Sequence, residues 1–220
     1  MPRPADPALD SGDGEAARRR AAAAAGHEHD EQTARKALAD SSGAVRATGL
    51  GALARMGALR SADLLAATGD PDPRVRARAG ELAPDTMRPD DASALLVAAL
   101  SDPEPSVVES ACFALGELGR RGKNRARSID QLSTVARSHR EPLCREAAVA
   151  ALGAIGDAAG LPAILDATTD KPAVRRRAVI ALAPFSGESV EAALNRALDD
   201  RDWQVRQAAE DLTGRSARRP

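Results

Sequence analysis

The chain has 220 residues, 43% hydrophobic and 29% charged but only 1% aromatic, so it is long enough for a real core, and Ala, Leu, Val and Ile have to build it. With 31 basic against 32 acidic residues the formal net charge is −1, which excludes a whole-molecule field drawing in nucleic acid or a membrane surface. No stretch approaches the roughly 18 apolar residues of a membrane span.

Residues 1–14 are rich in Pro, Gly, Asp and Ser and are expected to be disordered. Residues 15–30 suggest a capping helix and linker. Arg18, Arg19 and Arg20 followed by alanines at 21–25 resemble a charged leader, but five alanines are too short for its apolar region. A cytoplasmic, membrane-free protein is the expectation. The segment "GHEHDE" then gathers His27, Glu28, His29 and Asp30. One cluster on one loop lacks the separated ligands of a structural or catalytic site, so neither metal nor cofactor is assigned.

From residue 31 onward one pattern recurs six times, a small turn followed by Val-Arg and an Ala/Leu helix. Examples are "DPDPRVRARAGEL" at 70, "DPEPSVVESACFAL" at 102 and "DRDWQVRQAAEDL" at 200. The pivotal position falls at Val45, Val75, Val107, Cys144, Val174 and Val205, at intervals of 30, 32, 37, 30 and 31 residues. Such a period with helical texture marks a stacked repeat array. Predicted units are 31–57, 61–84, 90–119, 128–156, 160–184 and 186–213, with 214–220 a frayed tail. In each, a first helix is signalled by apolar residues at helical spacing, among them Leu64 and Leu65, Leu95, Leu96 and Leu100, and Ile129, Leu132 and Val135. Ser61, Asp91, Ser128 and Ser189 are placed as N-caps, and Gly57, Gly119 and Gly156 where a left-handed cap ends the second helix. No stretch alternates with period two, so the fold class is all-α. Cys112 and Cys144 sit inside apolar helical patterns, as buried free thiols in a reducing compartment would.

The repeated "D-x-x-x-x-V-R" followed by "A-x-x-x-L" resembles the HEAT repeat family, in particular its short bacterial form first described around phycobilisome bilin lyases. The likeness covers about 31–213 and implies an α-solenoid of about six helical hairpins. It also implies a ladder in which the turn aspartates Asp40, Asp70, Asp102, Asp170 and Asp200 meet the arginines that follow the pivot, Arg46, Arg76, Arg145, Arg175 and Arg206, in adjacent units. The third repeat carries Val108 where the arginine belongs and the fourth carries His139 where the aspartate belongs, beside the longest interval, and a local change of curvature is expected there. In "DPDPRVRARA", Arg76 is thereby scaffold, Arg74 belongs to the turn, and Arg78 is left as a possible contact.

On the second helix, positions 0, 4, 7, 8 and 11 from the pivot form one stripe toward the first helix. Position 5 is apolar or glycine until the last repeat, where Glu210 suits an exposed end cap. Positions 2, 6 and 9 are farthest from the stripe and form the groove on which a solenoid holds a partner. The candidate partner-binding residues there are Glu109, Phe113, Glu146, Arg176, Ile180 and Gln207. Phe113 and Ile180 stand out as large apolar groups where polar ones belong, unless repeat twist buries them in an interface. Trp203 either seals the terminal repeat or anchors a partner.

A second candidate is the basic stretch Arg120, Arg121, Lys123, Arg125 and Arg127, which could hold a polyanion. It lacks the interleaved aromatics that stack on bases, and a solvated loop is the plainer reading. Among enzymes that the HEAT likeness brings to mind, deoxyhypusine hydroxylase uses His-Glu pairs on several repeats, whereas His27-Glu28 stands alone outside them. Bilin lyase subunits share only scaffold positions with this chain, and HEAT-like DNA glycosylases need a basic groove with aromatic and acidic residues. No Ser/His/Asp set, phosphate loop or paired carboxylates emerge. The sequence therefore points to a monomeric, non-enzymatic scaffold or adaptor that binds another protein and not nucleic acid. An accessory subunit of a lyase- or hydroxylase-like complex is the alternative.

Overall fold

A computed structural model describes residues 7–122 and 125–214. The expectations for residues 1–6, for Lys123 and for 215–220 lie outside the described residues. Among the described residues there are thirteen α-helices, one 3-10 turn and no strand. The chain divides into two compact units, Met1–Met87 and Arg88–Pro220.

The first unit holds α1 (Pro7–Glu28), α2 (Glu31–Ala37), α3 (Gly43–Arg55), α4 (Ser61–Ala67) and α5 (Pro73–Thr86). The second holds α6 (Pro89–Ala99), α7 (Pro105–Arg120), α8 (Arg125–Ser138), α9 (Pro142–Ile155), a 3-10 turn at Ala158–Gly160, α10 (Leu161–Ala167), α11 (Pro172–Ala181), α12 (Glu188–Leu198) and α13 (Trp203–Thr213). Even-numbered helices are the first and odd-numbered helices the second member of each hairpin. Within the units the second helices stack on one another, α3 on α5 and then α7, α9, α11 and α13 in turn.

Proline marks the start of four of the six second helices. Pro73, Pro105, Pro142 and Pro172 each occupy a first-turn position, where the missing N–H costs nothing and the fixed φ suits a helix. The pivot is buried in every hairpin, and so is the residue four later, which is always Ala or Gly: Gly49, Ala79, Ala111, Ala148, Ala178 and Ala209. These small residues let the helices approach closely. A Cβ on Gly153 would lie 2.8 Å from the Ala181 Cα, so α9 and α11 touch at backbone distance. Large aliphatic side chains fill the remainder: Leu64, Leu96, Leu132 and Ile164 from first helices, and Leu53, Leu115, Leu152 and Leu182 from second helices, are almost wholly buried. Leu65, expected beside Leu64 in the core, is exposed, because consecutive helical residues point about 100° apart and the short α4 buries one face only.

The caps differ from expectation. Ser61 and Ser189 lie inside the first turns of α4 and α12, and Asp91 lies inside α6. Ser128 is buried within α8, which starts three residues earlier, and its hydroxyl has no hydrogen-bond partner among the described residues. The caps that form use aspartates instead, with Asp30, Asp72, Asp157 and Asp202 accepting from the backbone N–H groups of Thr33, Arg74, Ala159 and Gln204. Gly57 and Gly156 adopt left-handed φ of 72° and 66°, as a helix end wants. Gly119 does not; it is buried inside α7, where a Cβ would press on Ile155 at 2.7 Å, and the turn is made by Gly122.

At the N-terminus the helix is longer than the expected capping segment. It begins at Pro7, so residues 7–14, expected to be disordered, are helical. α1 packs on α3 through Ala22 and Ala25, acting as the second helix of an incomplete hairpin ahead of the first repeat. His27 and Glu28 are its last residues, His29 makes the turn at φ 58°, and Asp30 caps α2. The expected loop cluster is thus a helix junction.

Candidate functional site

The ladder forms by a regular geometry. Arg46 binds Asp70 through Nε and Nη2 at 2.8 and 2.6 Å, Arg145 binds Asp170 at 2.6 and 2.7 Å, and Arg175 binds Asp200 at 2.9 and 2.7 Å. In each case Nη1 turns back to the carbonyl that opens its own turn, at Asp40, His139 or Asp170; Arg76 and Arg206 do the same to Asp70 and Asp200. The aspartates also accept a backbone N–H at the start of their own turn, as Asp102 does from Glu104. A planar fork satisfying a carboxylate and a carbonyl together fixes both register and spacing, which lysine could not do. α1 contributes a step that the repeat pattern hid, Arg18 to Asp40 at 2.8 and 3.2 Å.

The two departures are the two ends of one step. By the spacing of the others, the arginine position of the third repeat faces the turn of the fourth, so Val108 and His139 replace a pair together. Val108 is fully buried, and His139 keeps the turn by accepting the Glu141 N–H on Nδ1 at 3.1 Å. With valine in the arginine's place, the step leaves no buried guanidinium without a carboxylate.

Hydrogen bonds from the arginines hold the Asp70 and Asp170 carboxyls below the usual range, and Arg18 does so for Asp40. At Asp200 burial pushes upward, yet Arg175 and the Asp202 N–H outweigh it and the net direction is down.

One surface feature away from the ladder lies within the second unit. α7 and α9 line a cleft of about 440 Å3, closed at one side by Arg177 of α11. Gly116, Ala147, Ala150, Ala151 and Ala154 line it together with Phe113 and Leu143, which are 67% and 49% exposed. Glu109, Glu117 and Glu146 complete the lining. Glu117 is paired with Arg120 at 2.8 Å, and Glu146 with Arg177 at 3.3 Å and Arg176 at 3.9 Å. Glu109 makes no ion pair or hydrogen bond among the described residues.

Of the residues placed in the groove from sequence, Glu109, Phe113 and Glu146 come together here. Arg176 reaches the rim through Glu146, while Ile180 and Gln207 are exposed outside the lining; Gln207 bonds Asp211 at 2.8 Å. Leu143, Glu117 and Arg177 were missed. Leu143 stands one residue before the pivot and seven before Ala150, on the same face as position 6, so carrying that stripe back to the start of α9 would have found it, whereas Arg177 follows its pivot by three and enters from α11. Arg78, the possible contact, bonds Glu81 at 2.7 Å and lines a smaller hollow in the first unit with Ala23, Ala47, Thr48, Gly51, Ala52 and Arg55. Arg74 pairs with Asp72 in its own turn. Trp203 opens α13, largely exposed.

The basic stretch is less open than its composition suggests. Arg120 is tied to Glu117, and Arg125 sits 3.7 Å from Asp157 and donates to the Gly119 carbonyl, acids and acceptors that lie outside the stretch itself. Arg127 is exposed. Among the described residues no three His, Cys, Asp or Glu groups converge as for a metal ion, and no helix is long and apolar enough to cross a membrane. Cys112 on α7 and Cys144 on α9 are free and buried. Burial, with Cys144 and Glu109 adding, pushes the Cys112 thiol far up; burial, then Glu109 and Glu141, push Cys144 up to about 11.

The family model described as HEAT repeats matches residues 62–130 and 92–183, together more than half of the chain. The chain belongs to the HEAT repeat family. Among solved structures this HEAT protein is similar to Escherichia coli YibA, at 16% identity and a TM-score of 0.65 over 95% of this chain and 75% of that one. Two engineered proteins are similar at 18% identity. One has a TM-score of 0.59 over 84% of this chain and 95% of that one, the other 0.61 over 84% and 97%. At these identities the likeness establishes the fold, an all-α solenoid of helical hairpins. No curated protein sequence matches.

Proposed function

We propose that the protein is a non-catalytic interaction scaffold, and that the cleft between α7 and α9 is where it holds a partner protein. The observation that carries this reading is the pair Phe113 and Leu143, two large apolar side chains left in water in a cleft otherwise lined by Gly116, alanines and charged residues. Apolar groups so placed are of no use to the core and gain only when a second surface covers them. The lining offers no nucleophile beside a base, and the thiols below it are protonated and enclosed. HEAT and armadillo-like repeats generally serve as protein-interaction scaffolds, and this assignment takes that general role as its starting point.

The test is affinity purification of the full chain from its host beside the Phe113→Ala/Leu143→Ala variant, with unfolding curves of both. The expected result is a set of partners captured by the parent and lost from a variant that folds equally well. Retention of the same partners by the variant would overturn the assignment.

A further inference from the structure

We infer that the occupant of the α7–α9 cleft is a basic–apolar segment of another protein, a stretch with one large apolar side chain flanked by lysine or arginine. This rests on the partner-binding reading of the cleft and adds its chemistry.

Shape asks for the apolar anchor. Apart from Phe113, Leu143 and the charged residues the lining is Gly116 and alanines, so the cleft has room for an incoming apolar side chain to pack against Phe113. Charge asks for the cation. Of the three carboxylates lining the cleft, Glu117 is held by Arg120 and Glu146 by Arg177 and Arg176, so the charge left over is that of Glu109. Glu109 differs from the other two in having no ion pair or hydrogen bond among the described residues, and it is exposed. It stands four residues before Phe113 on α7, one turn away on the same face. A partner that seats its anchor beside Phe113 therefore brings its neighbouring residue to Glu109. Lysine or arginine there gains a carboxylate and lies within reach of the face of an aromatic ring, whereas an acidic residue would face uncompensated like charge. The hollow beside Arg78 in the first unit lacks this combination, having no large apolar residue in its lining.

The experiment selects peptides from a random phage-displayed library on the full chain, discards those that also bind Phe113→Ala/Leu143→Ala, and measures the remainder by fluorescence anisotropy. All three substituted side chains are at the surface, and thermal unfolding of each variant checks that the fold is kept. The selected peptides are expected to share an apolar residue flanked by Lys or Arg, and Glu109→Lys to weaken them on the order of tenfold. Affinity should also fall as added salt shortens the Debye length from about 30 Å to about 8 Å. If the cleft-dependent peptides are acidic or uncharged and indifferent to Glu109→Lys, the partner chemistry is wrong while the cleft remains a binding site. If no peptide depends on Phe113 and Leu143, both readings fall.

Discussion

Removing the Arg175 guanidinium tests whether the ladder holds the hairpins in register or merely decorates their edge. Arg175 makes two bonds to the Asp200 carboxylate and one to the Asp170 carbonyl, and the side chains of Arg175 and Asp200 are only 7% and 15% exposed. Exposed pairs contribute about 0–1 kcal/mol, and breaking a fully buried pair costs about 3–5 kcal/mol; this exposure lies nearer the buried limit. Arg175→Ala is therefore expected to cost about 3 kcal/mol, moving the urea midpoint at pH 7 by about 1–3 M for an m-value of about 1–3 kcal/mol/M. Alanine also deletes the aliphatic stem that packs on the turn. A double-mutant cycle with Asp200→Asn, which keeps the acceptor for the Asp202 N–H, isolates the pair, and a coupling of about 1.5 kcal/mol is expected. A coupling near zero, with Arg175→Ala as stable as the parent, would refute the ladder as a source of stability.

The same ladder fixes the response to acid. Asp40, Asp70, Asp170 and Asp200 have folded-state pKa values below their ordinary 3.8, so their contribution is present above about pH 4 and is lost as pH falls through the folded values. Stability measured from pH 5 down to pH 2 should drop, and drop less in the Arg175→Ala/Asp200→Asn variant; a flat profile in the parent contradicts this. Arg18→Ala removes a step of the same kind whose arginine is 47% exposed, and a cost below about 1 kcal/mol is expected in the same urea assay. Gly153→Ala drives a methyl onto the backbone of Ala181 and should cost about 1–3 kcal/mol by chemical unfolding. Cys112 and Cys144 should ignore a thiol reagent in the native protein and both react in urea; rapid native labelling would show that the α7–α9 contact opens.

Much of the fold could be read from the chain because its period is written in residue types with one physical use each. Proline opens second helices, Ala or Gly sits four residues past the pivot where helices touch, and arginine and aspartate are spaced to meet across a turn. What escaped the sequence is what depends on neighbours distant along the chain. α1 carries no repeat signature, yet Arg18 reaches Asp40, 22 residues on. The N-cap assignments at Ser61, Asp91, Ser128 and Ser189 went astray, since each lies inside its helix, and at α2 and α4 it is Asp30 and Asp63 that bind the backbone at the start. The cleft was half foreseen. Glu109, Phe113 and Glu146 follow from helical spacing on α7 and α9, and Leu143, seven residues before Ala150, was within reach of the same rule, whereas Arg177 enters only through the close contact of α9 and α11 that Gly153 permits. Val108 and His139 looked like two irregularities and are one, a step whose two ends changed together.

Placing a photoreactive benzoylphenylalanine at position 113 of the full chain, and separately at exposed position 65, would probe the partner surface directly in the host cell. The account predicts a discrete crosslinked partner from position 113, absent from position 65, whose linked peptide carries an apolar residue beside Lys or Arg. No crosslink at 113, or the same products from both positions, would contradict it.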